Sequence, residues 1–126
     1  MLYIDTNILI YLFELHDPYS QKVATILEGF TSGGKQLVTS TITITEFLAG
    51  TTLSSLETLH KVPKLNFIAV DENIAERAAI LQRKNNIGLG NSIHLASAIQ
   101  QEAEAFFSNN KTLTRVVEKY MSVISL

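Results

Sequence analysis

The sequence predicts an α/β fold of three layers, α/β/α, around a mostly parallel sheet of four or five strands, in a single domain spanning 1–126. Three observations predict it. Short apolar runs, too brief for helices, recur along the chain. Segments with helical apolar spacing separate them. The short runs are apolar without alternation, which suits strands covered on both faces.

The first run is "LYI" (2–4), which ends at Asp5 and leads into a helix. Val23, Ile26, Leu27 and Phe30 recur at i, i+3, i+4 and i+7, so 19–31 reads as an amphipathic helix ended by Gly33-Gly34. "LV" (37–38) is the second strand. "STITITEFLAG" begins with strand-like alternation and continues as a helix from about 42 to 49. Region 50–66 carries little pattern and is expected to hold a short helix and a loop, with Pro63 limiting the helix. "NFIAV" (66–70) is the third strand. Ile74, Ala78, Leu81 and, more loosely, Ile87 mark a helix at about 72–85, with Glu72, Glu76, Arg77 and Lys84 for its wet face. Ile93, Leu95, Ala96 and Ile99 mark another at about 91–103. "AFF" (105–107) is the fourth strand and "VISL" (123–126) a candidate fifth. Strands alternating with helices imply right-handed βαβ units.

Composition narrows the classes. With 46% hydrophobic and 17% charged residues, the chain is globular and not disordered. A net charge of −2 gives no general attraction to nucleic acid, though a local patch would still supply one. The absence of cysteine excludes a disulfide framework and a thiolate zinc site. No apolar run approaches the ~18 residues of a membrane span. No basic segment precedes the first apolar stretch, so no signal peptide and a cytoplasmic location are expected.

Polar residues collect where the strands end. The first run ends in Asp5-Thr6-Asn7, and the second in Thr39-Ser40-Thr41 with Glu46 close behind. The third ends in Asp71 and the fourth in Ser108-Asn109-Asn110. In an open parallel sheet those ends line one crevice, where ligands bind. Each residue also has a plainer reading. Asp5 or Asn7 would cap a following helix. Thr43-x-x-Glu46 fits a capping box. Asn91 suits an N-cap, and His94, among Ile93, Leu95 and Ala96, reads as a packed, hydrogen-bonded side chain. Asp71-Glu72 suits a helix start, and Asn109-Asn110 a turn.

The stretches "LYIDTNILI", "VTSTITITEFLAG", "FIAVDENIAERAAIL" and "GLGNSIHLASAI…AFFSNNKTL", in this order, resemble the PIN domain family, most closely its small prokaryotic VapC-type toxins. The resemblance covers essentially the whole chain and implies a PIN-like fold and a Mg²⁺- or Mn²⁺-dependent ribonuclease. It assigns Asp5 and Glu46 to the first two acidic positions. The other two fall on Asn91, ahead of "SIHLA", and Asn110, after Ser108-Asn109. Thr6 and Asn7 match the polar pair after the first acid, and Ser108 a hydroxyl lining the site.

The two amides change the expected chemistry. Hard cations favour charged oxygen ligands, and Asn offers one neutral carbonyl oxygen with an NH₂ donor. Asp5 and Glu46 would hold one Mg²⁺ or Mn²⁺ weakly, a second ion is disfavoured, and Asn91 cannot act as a general base. Lys111 and Arg115, with Lys35 and Lys84 as further candidates, are the cations available to RNA phosphates. The expected function is an endoribonuclease, the toxin of a toxin–antitoxin pair, with reduced activity. The alternative is a catalytically inactive module that binds RNA or a protein partner. A nucleotide-binding domain is disfavoured, because no Gly-rich loop follows the first strand. By resemblance the partners are RNA, an antitoxin whose basic side chain reaches Asp5 and Glu46, and a second copy of the chain; no membrane is involved. Leu12, Phe13, Leu15, Phe47 and Leu48 are the apolar positions offered for the dimer surface.

Overall fold

A computed structural model describes residues 1–14, 18–51 and 55–126. The strands are β1 (Leu2–Ile4), β2 (Leu37–Ser40), β3 (Leu65–Ile68), β4 (Ala105–Phe107) and β5 (Ser122–Ile124). The helices are α1 (Thr6–Phe13), α2 (Tyr19–Ser32), α3 (Ile42–Gly50), α4 (Leu56–His60), α5 (Glu72–Asn85), α6 (Leu89–Gln100) and α7 (Lys111–Val117). The five strands form one sheet in the order β3-β2-β1-β4-β5. Every pairing is parallel.

The chain winds outward from β1 to β3, then crosses to the other side of β1 for β4 and β5. Right-handed crossovers then put the two sets of helices on opposite faces. Burial agrees. Leu2, Ile4, Leu37, Ala105 and Phe107 pack with Ile8, Leu9, Val23, Leu27, Phe47 and Leu59 from α1 to α4. Tyr3, Val38 and Phe106 pack with Ile74, Ala78, Leu81, Leu95, Leu113 and Val116 from α5 to α7. Alternate strand residues thus feed two cores, and each fully buried Leu, Ile or Phe stabilises by about 1.5–3 kcal/mol. The reversal of winding at β1 opens a crevice beyond the strand ends.

Most boundaries fall near the sequence expectation. The α5 helix covers 72–85 as expected, and Gly33 and Gly34, the latter at φ 79°, close α2. The third strand runs 65–68 rather than 66–70: Ala69 and Val70 lead out to the Asp71 cap of α5. The fifth strand sits at 122–124 rather than 123–126. Helix α6 begins at Leu89, capped by Gly88, so Asn91 is its third residue and not its N-cap. Phe47 is fully buried and meets Phe13 edge to face at 5.8 Å, so it belongs to the core and not to a dimer surface. Leu12 and Phe13 pack against the same core, Leu48 is exposed, and Leu15 lies outside the described residues.

Candidate active site

The β1–β4 register sets Ile4 opposite Phe107, so Asp5 and Ser108 leave the sheet side by side. The backbone holds them there: Asp5 N–H donates to the Phe107 carbonyl at 2.9 Å. Asp5 caps α1, with Oδ1 accepting from Thr6 N–H at 2.8 Å. Its other oxygen, Oδ2, accepts from Ser108 Oγ at 2.7 Å. Capping and site placement therefore coexist in one carboxylate.

Glu46 arrives from α3. Its Oε1 accepts from Thr6 Oγ1 at 2.7 Å and from His94 Nε2 at 2.6 Å. The capping-box reading of Thr43 and Glu46 is thereby corrected. The N-cap of α3 is Thr41, and the first backbone N–H group of the helix, on Ile42, is served by Ser40 Oγ at 3.1 Å. Thr43 instead bonds Thr39 Oγ1 at 2.7 Å, and Thr39 donates to the Ile4 carbonyl at 2.7 Å. Asp5 is almost wholly buried, whereas the Glu46 side chain is 38% exposed and reaches the rim. Burial raises the Glu46 pKa, but the His94 hydrogen bond and charge, with the Thr6 hydroxyl, outweigh it and hold the carboxyl below its ordinary range.

His94 joins the two acids. Its Nε2 also lies 3.5 Å from Asp5 Oδ1 and 3.2 Å from Thr6 Oγ1, and its Nδ1 lies 2.7 Å from the Tyr3 hydroxyl. It is packed and hydrogen-bonded as expected, its partners being Tyr3, Thr6 and Glu46, with Asp5 beside it at 3.5 Å. Burial, then the charge of Asp5, push the Tyr3 hydroxyl well above its ordinary range, so it stays protonated.

The asparagines adjoin this core of the site from two sides. Asn91 stands one turn ahead of His94 on α6, directly after Gly90, where a Cβ would lie 2.9 Å from Glu46 Oε2. Asn91 is half-buried, and its side chain makes no hydrogen bond to another described residue. Asn110 caps α7 through Oδ1, which accepts from Leu113 N–H at 3.3 Å. Its own N–H donates to Ser108 Oγ at 3.0 Å, one bond away from Asp5. Asn7 Oδ1 receives Asn109 N–H at 3.5 Å.

The cations divide. Lys111 is exposed at the head of α7 beside Asn110, and Arg115 is exposed one turn further on. Lys35 precedes β2 and pairs with Glu104 at 2.6 Å, which also meets the N-terminal ammonium at 3.3 Å. Lys84 lies in the last turn of α5, a helix that starts at the site edge and runs about 21 Å to the far one. Both therefore sit at the opposite edge of the sheet, a correction to their candidacy. Asp71 caps α5 through Ile74 N–H at 2.9 Å, as its plainer reading has it.

Thr39 was legible only as part of the polar end of the second strand, and Tyr3 and Thr43 were not legible as site residues. Their only signal is a hydroxyl inside an otherwise apolar strand or helix face. Among the described residues no group of three or more His, Cys, Asp or Glu is arranged to hold a metal. What is present is a pair of carboxylates in which Glu46 Oε2 has no hydrogen-bond partner among the described residues.

The PIN domain family model matches residues 2–119. The chain is similar to one in a toxin–antitoxin complex from Klebsiella pneumoniae, with 26% identity, a TM-score of 0.75 and coverage of 98% of this chain and 96% of that one. In fold it is also similar to a chain of VapBC2 from Rickettsia felis, solved bound to a DNA fragment from their promoter (18% identity, TM-score 0.69, coverage 99% and 98%). FitAcB from Neisseria gonorrhoeae gives 18% identity, a TM-score of 0.69 and coverage of 98% and 96%. No curated protein is a significant match. Its strand order, its paired acids at the carboxyl edge of β1 and a family match running from the first strand past α7 make this chain a member of the PIN domain family.

Proposed function

We propose that this PIN domain is the toxin of a toxin–antitoxin pair and a metal-dependent endoribonuclease with a site weakened by Asn91 and Asn110. The observation that carries this reading is the convergence of Asp5 and Glu46, from separate elements, on His94 and Thr6 at the carboxyl edge of the sheet. The similarity to a chain of the Klebsiella complex supports the toxin assignment and an antitoxin partner. A homodimer and a cytoplasmic location belong to the same proposal. No helix among the described residues is long and apolar enough to cross a membrane.

The donor set fits one hard cation. Among the described residues Glu46 Oε2 has no hydrogen-bond partner, and each Asp5 oxygen accepts one hydrogen bond and keeps lone-pair capacity. Mg²⁺ commonly binds through one or two carboxylates and completes its shell with water and substrate phosphate. When bound, Mg²⁺ or Mn²⁺ would offset charge on the attacked phosphate and help to activate water. The chain's own residues do the rest. Thr6 N–H and Ser108 orient Asp5, Thr6 Oγ1 and His94 orient Glu46, and Lys111 and Arg115 attract RNA phosphates, with Asn7 at the rim.

A second reading, an inactive module that binds RNA or a protein partner, is favoured by Asn110. Its carbonyl oxygen is engaged by Leu113 N–H, so the amide offers the crevice a donor suited to phosphate oxygens.

The decisive experiment restores both acids. The Asn91→Asp, Asn110→Asp double variant and the parent chain are compared for Mn²⁺ binding and RNA cleavage. At an effective dielectric of about 20, a unit charge pair near 4 Å is worth about 4 kcal/mol before desolvation, so affinity is expected to rise by orders of magnitude. Cleavage should rise with it. No gain in either measurement defeats the assignment of these positions. Metal-independent RNA binding without cleavage by either protein selects the second reading.

A further inference from the structure

The acid pair is held from behind by a buried ring. Tyr3 and His94 meet edge to face, 5.8 Å apart at 72°, and Phe106 stacks on Tyr3 at 5.0 Å. Tyr3 is fully buried and His94 is 1% exposed, so neither ring has room to turn. The two nitrogens of His94 face different groups. Nδ1 meets the Tyr3 hydroxyl, while Nε2 meets Glu46 Oε1 at 2.6 Å and Asp5 Oδ1 at 3.5 Å. Ionised carboxylates only accept. Nε2 therefore carries a hydrogen whether the ring is neutral or charged, and Tyr3 bonds Nδ1 in either case.

The consequence falls on Glu46. Oε1 takes the His94 hydrogen and, as the nearest acceptor, that of Thr6 Oγ1 at 2.7 Å. Oε2 has no hydrogen-bond partner among the described residues and faces the space left by the missing side chain of Gly90.

We propose that Tyr3 and His94 form a positioning relay for Glu46: Tyr3 fixes the imidazole through Nδ1, Nε2–H grips Oε1, and Oε2 alone is turned to the cation. Only the last step rests on the reading of Glu46 as a metal ligand. His94 is a positioning residue, acting through Glu46 and not on substrate. The relay gives a rim glutamate, 38% exposed, a buried partner for one oxygen and leaves the other open. It also gives a role to the buried imidazole on α6, whose buried face carries Ser92 and Ser97 beside Leu95, Ala96 and Ala98.

The test uses the full chain with ¹⁵N-labelled histidine, His94 being assigned by its loss in His94→Gln. The relay requires a protonated Nε2; a bare Nε2 with hydrogen on Nδ1 overturns it. Mn²⁺ affinity, followed by electron paramagnetic resonance, is then compared in Tyr3→Phe, His94→Leu and His94→Gln. Loss of such outer partners typically costs 10–100-fold in metal affinity. Tyr3→Phe and His94→Leu should therefore weaken Mn²⁺ binding by about 10–100-fold. His94→Gln, whose amide restores a donor, should recover part of it. Unchanged affinity in Tyr3→Phe and His94→Leu overturns the relay but leaves the metal reading standing. Should the parent chain bind no Mn²⁺, the metal reading falls, and ¹³C relaxation of the Glu46 γ-methylene decides the relay without metal. Greater mobility in Tyr3→Phe and His94→Leu, reduced again in His94→Gln, sustains it; equal mobility in all four proteins overturns it.

Discussion

Gly90→Ala tests the crevice with a single carbon atom. The added Cβ would stand 2.9 Å from Glu46 Oε2 and 3.7 Å from its Cδ. Real Cβ atoms essentially never come closer than 3.0 Å, so the carboxylate must move. A free glutamate tip would swing aside at little cost. This one is held at Oε1 by His94 and Thr6, so moving Oε2 rotates the group and lengthens one of those bonds. A hydrogen bond to a charged group contributes about 1.5–3 kcal/mol net. Partial weakening, discounted for the exposure of Glu46, costs roughly 1 kcal/mol. Against it, Ala over Gly in a helix gains roughly 0.5–1 kcal/mol. The two nearly cancel, and urea denaturation should find stability within about 1 kcal/mol of the parent. Metal affinity has no such compensation, because helix propensity does not enter it. Mn²⁺ binding should weaken about tenfold, the lower end of what a disturbed outer contact costs. A folded Gly90→Ala protein with unaltered Mn²⁺ affinity would refute the claim that Oε2 is the oxygen turned to the cation.

Three other expectations follow from the same geometry. Asn110→Ala removes the α7 cap and should cost about 1 kcal/mol in urea denaturation, whereas Asn110→Asp keeps the cap and should cost little. Phe47→Ala empties a fully buried site and should cost about 3–5 kcal/mol, with no change in oligomeric state by sedimentation; a changed state would return Phe47 to an interface. Glu46 is held below its ordinary value of 4.5 in the folded chain, so the unfolded chain binds more protons there. Its contribution is present above that value and is lost as pH falls through the lower folded value. Glu46→Gln should therefore flatten the acid side of the stability–pH curve, and an identical slope would deny the shift.

The sheet was legible because its strands need no partner to be recognised: they are short, apolar and bounded by polar turns. The α5 helix was legible for a related reason, since Ile74, Ala78 and Leu81 mark one face and all three are buried. Helix α7 escaped. It has seven residues, and its start is fixed by an asparagine cap that also reads as a turn. The start of α6 escaped because Leu89 is 65% exposed, so its first turn has no core contact to impose a period.

The site divides along the same line. Asp5 and Ser108 follow directly from two neighbouring strand ends, and strand ends can be read locally. Glu46 shows the limit of local reading: "TITE" spells a capping box, but both roles need the same helix. What separates them is His94, 48 residues away in sequence and 2.6 Å away in space. Tyr3 and His94, 91 residues apart, are more remote still. A tyrosine in a strand and a histidine in a helix each look like ordinary filling until the β1–β4 register and the crossover of α6 bring them face to face. Asp5 could be inferred from where a strand stops; what fixes Glu46 and orients both acids depends on which elements become neighbours, and that is a property of the fold.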